Sequence, residues 1–369
     1  MRTIAIAVLA LAAAVAASAT GPEQPAPAGE REFRAAWLAF AASTQGSSEA
    51  QTSDLRQQAC ENALARMEEA AAAEPDNPTY QASLAYVALT AGKHARAKQA
   101  VDRAIELKGD DPFLYVLRGQ AEAALARSEP SKAGERIGPA LKAFDDAARL
   151  DPTNALPLIL GAGVALEVGR KDLALPLIKK ALERPRAVLY RLWVPFDLHP
   201  DRGRSVNTWQ YVQYGRWIEE LVSWQNTSTA LLLLGEERMA KEDLAAAEAD
   251  FRDALTLGQM LGESDPDLLI TTNVAINMME DAYARLWRIA QAKGNGEVER
   301  WWGELGVLQI GRTELHGALQ AYVKQVKDSP PETVEELLSL EAKCVERTML
   351  GIGLKPAADR ERATADPPK

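Results

Sequence analysis

The chain has 369 residues, 47% of them apolar and 25% charged, with a formal net charge of −10. That length is ample for a buried core. The acidic balance excludes nucleic acid, where a basic footprint supplies most of the affinity, and docking on an anionic membrane surface. In chain order the first element is a leader. Arg2 is a short basic region, Ile4 opens an apolar run that reaches Ala17, and Ala17-Ser18-Ala19 has the small-x-small form of a cleavage site. This predicts a secretory signal peptide over 1–19 rather than a membrane span, which needs about 20 apolar residues. No cysteine follows the run, so a lipid anchor is not supported, and no later stretch is apolar enough to insert in a membrane. Residues 20–30 are rich in Pro, Gly and Ala and read as a disordered linker.

From 31 to 184 the chain repeats. Small residues recur at three steps of a period of about 34 residues. The first step holds Ala85, Gly119, Ala162 and, further on, Gly235; the second Ala97, Ala140, Ala174 and Ala247; the third Ala104, Ala147, Ala181 and Ala254. Between the last two steps sits one larger apolar residue, Val101, Phe144, Ile178 or Phe251. Helices packed about 8–10 Å apart need small side chains where they cross. Turn signals fall in phase at Pro75, Gly92, Pro112, Pro152 and Gly169, although Glu242 stands where the fourth repeat is expected to have its turn glycine. Extra residues near 128–136 read as a longer turn, and 31–42 as the first helix of an additional, upstream unit.

This pattern resembles the tetratricopeptide repeat family, over about half of the chain. The resemblance implies an all-α, helix–turn–helix solenoid that binds a protein or peptide partner in a concave groove. The family's groove positions lie on the first helix of each unit. Carried onto this sequence they are Ala82, Tyr86 and Leu89, then Val116 and Gln120, then Ile159, Gly163 and Leu166, then Leu232, Glu236 and Met239.

Residues 185–226 break the pattern. Tyr190, Trp193, Phe196, Trp209, Tyr211, Tyr214, Trp217 and Trp224 place eight of the chain's 22 aromatics in this one stretch, more than chance spacing gives. Pro185, Pro195 and Pro200 predict an irregular loop, with Arg191 and Arg202 among its basic residues, followed by a helix over 205–224. Two readings fit. The aromatics plug the junction between the repeats and the helices that follow, or Arg191, Trp193, Arg202, Trp209 and Tyr211 form a binding lip, since Trp, Tyr and Arg dominate hot spots.

From 227 to 350 a degenerate fourth repeat leads into long non-repeat helices. Val274, Met278, Ala282 and Leu286 mark one over 268–292; Trp301, Leu305, Leu308, Leu315, Leu319 and Tyr322 mark another over 297–327. A capping box from Ser329 to Glu332 opens a last helix that ends near Met349, and 351–369 reads as a disordered tail. No alternating β-branched runs predict a sheet.

The chemistry is sparse. His94, His199 and His316 have no ligand partner at metal spacing, so no metal site is expected. Gly161 and Gly163 lack the third glycine of a dinucleotide loop, and there is no nucleophile elbow or phosphate loop. Neither an enzyme nor a cofactor is expected. Cys60 and Cys344 leave two arrangements open: a disulfide, which export permits, or two separate thiols, which their distance along an elongated array favours. The sequence as a whole predicts a soluble, exported (periplasmic or secreted) scaffold or adaptor that binds a partner segment. The alternative is a periplasmic binding protein for a small molecule or oligosaccharide, built on the aromatic stretch 190–224. Nothing in the sequence sets the oligomeric state.

Overall fold

The computed structural model describes residues 28–44, 53–128, 133–188, 190, 205–264, 269–294, 296–328 and 339, with 205–219 described by backbone alone. The signal peptide, most of the 20–30 linker, the helix expected from Ser329, the tail, His199 and Cys344 lie outside these residues. Every described element of length is a helix, and the one extended pairing is an isolated bridge between Asn154 and Arg186. The fold is all-α and of the helical-repeat, solenoid type: each helix packs chiefly on its neighbours in the chain.

The chain divides into two compact units. The first contains α1 (Ala28–Thr44), α2 (Ser53–Ala73), α3 (Pro78–Thr90) and α4 (His94–Leu107). Asn77 caps α3, accepting from the Thr79 and Tyr80 amides at 3.1 and 3.3 Å, and Pro78 fills the first helical position, where its missing N–H costs nothing. Ala85, Ala97, Val101 and Ala104 are all buried where α3 and α4 pack together. The first helices of the two hairpins are joined by rings: Phe33 stacks on Tyr80 at 4.4 Å, and Trp37 and Phe40 cover Tyr86 at 6.2 and 5.6 Å.

The second unit contains α5 (Pro112–Arg127), α6 (Ala133–Arg136), α7 (Gly138–Leu150), α8 (Leu156–Glu167), α9 (Lys171–Leu182), α10 (Ser205–Met239), α11 (Leu244–Ser264), α12 (Leu269–Lys293) and α13 (Val298–Asp328). The extra residues of the 128–136 turn include the short α6. The repeat pattern has a direct physical meaning here. A Cβ added at Gly119 would lie 2.7 Å from the Phe144 ring, and one at Gly235 would lie 2.3 Å from Phe251. Glycine stands at the first step in the two repeats whose larger residue is Phe; Ala85 and Ala162 stand there in the repeats with Val101 and Ile178. The pair is filled to a constant size.

The turns repeat as well. Gly92 and Gly169 have φ of +71° and +75°, and each turn closes with two backbone bonds back to the helix, from Gly92 to Leu89 and Lys93 to Ala88, and from Gly169 to Leu166 and Arg170 to Ala165. Glu242 adopts the same left-handed conformation, φ +63°, with the same bonds from Glu242 to Met239 and Asp243 to Arg238. The repeat geometry forces a conformation that the sequence does not favour.

The helix expected over 205–224 and the first helix of the fourth repeat are one helix of 35 residues, so a boundary at 226 falls inside it. Asn226, Thr227 and Ser228 look like turn residues, but the helix runs through them, and the buried Thr227 hydroxyl is satisfied within it by donating to the Ser223 carbonyl at 2.8 Å. Further along, α11 approaches α12 closely at Gly258, where a Cβ would lie 2.7 Å from Met279. On α13, Trp301, Leu305, Leu308 and Leu315 are buried, whereas Leu319 on the same face is exposed.

Candidate functional site

Within each unit the first helix of one hairpin packs on that of another, α1 on α3 and α8 on α10, and that decides how much of the implied groove lining stays open. Ala82, Tyr86, Val116, Ile159, Gly163 and Leu232 are buried. Tyr86 lies under Trp37 and Phe40, and a Cβ at Gly163 would meet Ser223 of α10 at 2.9 Å. Leu89, Gln120, Leu166, Glu236 and Met239 are half-buried. Glu236 is engaged from α12 by Arg285 at 3.1 Å and Arg288 at 2.9 Å.

On the repeat helices of the second unit the exposed large apolar residues are Leu150, at the end of α7, and two that share one helix, Val222 and Leu233 of α10. Val222 is 42% and Leu233 53% exposed. Between them on the same stripe, Asn226 is half-buried and Thr229 exposed. The spacing i, i+4, i+7, i+11 keeps all four on one face over about three turns.

Of the expected lip, Arg191, Trp193 and Arg202 lie outside the described residues, and Trp209 and Tyr211 fall on the first turns of α10 with only their backbone described. Two other aromatics of that stretch are packed inward. Trp224 is fully buried, and Tyr190 sits against Phe113 at 6.5 Å with its hydroxyl donating to Asp151 Oδ2 at 3.2 Å. Burial, with Asp151 beside it, holds the Tyr190 phenol above its ordinary range.

Sequence reasoning missed what anchors this segment. Asn154 is fully buried and its amide grips the backbone of Val188 at both ends, donating to the carbonyl at 2.9 Å and accepting from the N–H at 2.9 Å. Beside it Ala155 N–H donates to Arg186 O at 2.9 Å, and Arg186 Nε donates to Thr153 Oγ1 at 3.0 Å. The chain leaving α9 is thus strapped to the α7–α8 loop. A lone Asn in a loop carries no sequence signal for a partner 34 residues away.

Two other features are chemically mixed. A cleft of about 440 Å³ beside that strap is lined by Arg149, Lys180 and Arg184 but also by Asp145 and Glu183. On α11, Asp250 is buried and Arg238 donates to its Oδ1 at 2.9 Å, while its Oδ2 has no partner. Burial raises the Asp250 and Asp253 carboxyls above the usual range, against the pull of Arg238 and Lys179. Among the described residues no group of His, Cys, Asp or Glu is placed to hold a metal, and no helix is long and apolar enough to cross a membrane. His94 is half-buried at the start of α4, His316 is exposed, and Cys60 is half-buried on α2.

The hairpins and their shared turn define a helical-repeat protein of the tetratricopeptide-like kind. No family model and no curated protein matches the chain. Among solved structures it is similar to the crystal structure of the P58(IPK) TPR domain, at 14% identity over 92% of this chain and 99% of that one, with a TM-score of 0.20.

Proposed function

We propose that this protein is an exported interaction scaffold or adaptor of the bacterial envelope, which binds a segment of another protein on the open faces of its repeat helices. The observation that carries this reading is the α10 stripe. Val222 and Leu233 stay exposed on a helix whose opposite face supplies the buried Leu221, Trp224 and Leu231. An apolar–polar–polar–apolar row at helical spacing suits an amphipathic partner helix, which would seat apolar side chains at both ends and hydrogen-bond to Asn226 and Thr229 between them. The half-buried Leu166 and Met239 extend the apolar surface offered by the repeats. Export rests on the leader pattern at 1–19.

The test is affinity capture from the organism's own envelope extract with the wild-type chain and with Leu233→Glu. A specific partner is expected with the first and not with the second, whose melting temperature stays near wild type because the side chain is exposed. Capture of the same partner by both would remove α10 as the surface. N-terminal sequencing of the exported chain, expected to start near Thr20, tests the compartment separately.

A further inference from the structure

The outward side of α13 carries the two most exposed large apolar residues among the described residues, and it stands apart from the α10 stripe. Trp302 is 58% and Ile310 61% exposed, on the side away from the buried Trp301, Leu305, Leu308 and Leu315. The Trp302 ring is braced by Trp287 of α12 at 5.2 Å, so it projects as a fixed knob rather than a mobile one. Thr313 returns its hydroxyl to the Gln309 carbonyl at 3.0 Å, which adds to this face without exposing an unbonded donor.

We infer that this face packs against the same face of a second copy, as an antiparallel, two-fold pair of α13 helices. Seam positions at 299, 303, 306, 310, 313, 317, 320 and 324 alternate by four and three residues, the spacing of a helix that pairs along its length. In a two-fold antiparallel pair, residue i meets j and j meets i. With the axis between Gly311 and Arg312, Glu299 meets Lys324 at both ends. Both are exposed, and neither has an ion-pair partner among the described residues. In the same register Gly306 meets Gly317 and Ile310 meets Thr313 across the seam, with Trp302 on its flank. A Cβ at Gly306 or Gly317 would meet nothing within 4 Å, so both leave room for a close approach. Arg312 is turned aside to Glu280 at 2.9 Å, and Glu314 lies on the edge rather than in the seam, so no like charges oppose one another along it. Opposite charges therefore meet at both ends in one register, with small residues that allow close approach between them, over about 37 Å from Glu299 to Lys324. That match is what selects a second copy over another occupant.

Sedimentation of the full chain over a range of concentrations tests this. A monomer–dimer equilibrium is expected in the micromolar range. Ile310→Glu is expected to leave a monomer with an unchanged helical spectrum and melting temperature measured at low concentration. Glu299→Lys alone is expected to weaken association about tenfold, because two symmetric attractions become repulsions. The swap Glu299→Lys with Lys324→Glu is expected to restore it, which only the antiparallel register allows. A wild-type monomer at every concentration would overturn the inference. That is the result if residues 329–369 of the same chain, or a different protein, cover the face instead. A dimer indifferent to Ile310→Glu, or a charge swap that fails to restore association, would overturn it equally.

Discussion

Gly235→Ala is expected to destabilise the protein, although an alanine in a helix interior is worth about 1 kcal/mol more than glycine. The new methyl would lie 2.3, 2.7 and 2.9 Å from three carbons of the fully buried Phe251 ring. Carbon contacts are optimal at about 3.5–4.0 Å, so the ring has to retreat by more than about 1 Å in a packed interior. Overpacking of this kind costs about 1–3 kcal/mol, which exceeds the propensity gain over most of its range. Gly161→Ala is the matched control. Its methyl would meet Leu177 and Phe144 at 3.4–3.6 Å, ordinary contact, so propensity wins and the variant gains stability. Adding Phe251→Ile to Gly235→Ala recreates the Ala162/Ile178 pair of another repeat and is expected to recover at least about 1 kcal/mol through direct coupling. Urea unfolding of Gly235→Ala, Gly161→Ala, Phe251→Ile and the Gly235→Ala/Phe251→Ile double variant measures this. The reasoning fails if Gly235→Ala stabilises as much as Gly161→Ala, or if the two changes at 235 and 251 are additive.

The remaining predictions concern the turn and the half-buried Asp253 carboxylate. Glu242→Gly is expected to raise stability by about 1 kcal/mol, read by the same unfolding assay, because a left-handed backbone strains glutamate and not glycine; no gain would mean that the Glu242 side chain supports the turn. Asp253→Asn is expected to stabilise at neutral pH and to be near neutral at pH 3. Burial raises the folded-state pKa of Asp253, so its contribution is fully present below the unfolded value and is lost as pH rises through the folded one. The asparagine removes that loss; an effect of the same size at both pH values would place its origin in packing rather than in charge.

Much of the architecture was legible before any coordinates. The small steps Ala85, Ala97 and Ala104 and their counterparts mark helix crossings, and only close packing explains small residues recurring in that phase, so composition and period were enough to name an all-α repeat. The turns at Gly92 and Pro112 were legible for the same local reason: a left-handed turn or a helix start at proline is a property of a few adjacent residues. What the sequence could not decide is what faces what. The continuity of α10 through Asn226, Thr227 and Ser228 depends on the packing of its buried face, which includes Thr227 and Ser228, and the left-handed Glu242 on a turn imposed by the two helices it joins. The grip of Asn154 on Val188 joins residues remote in sequence, which no local pattern encodes. Groove positions that a repeat pattern assigns to solvent, such as Tyr86 and Gly163, are buried because the first helix of a neighbouring hairpin lies over them, α1 on Tyr86 and α10 on Gly163. Surface is what remains after every helix has chosen its neighbours, so Leu233 on α10, and Trp302 and Ile310 on α13, emerged as open faces only once the helices were packed.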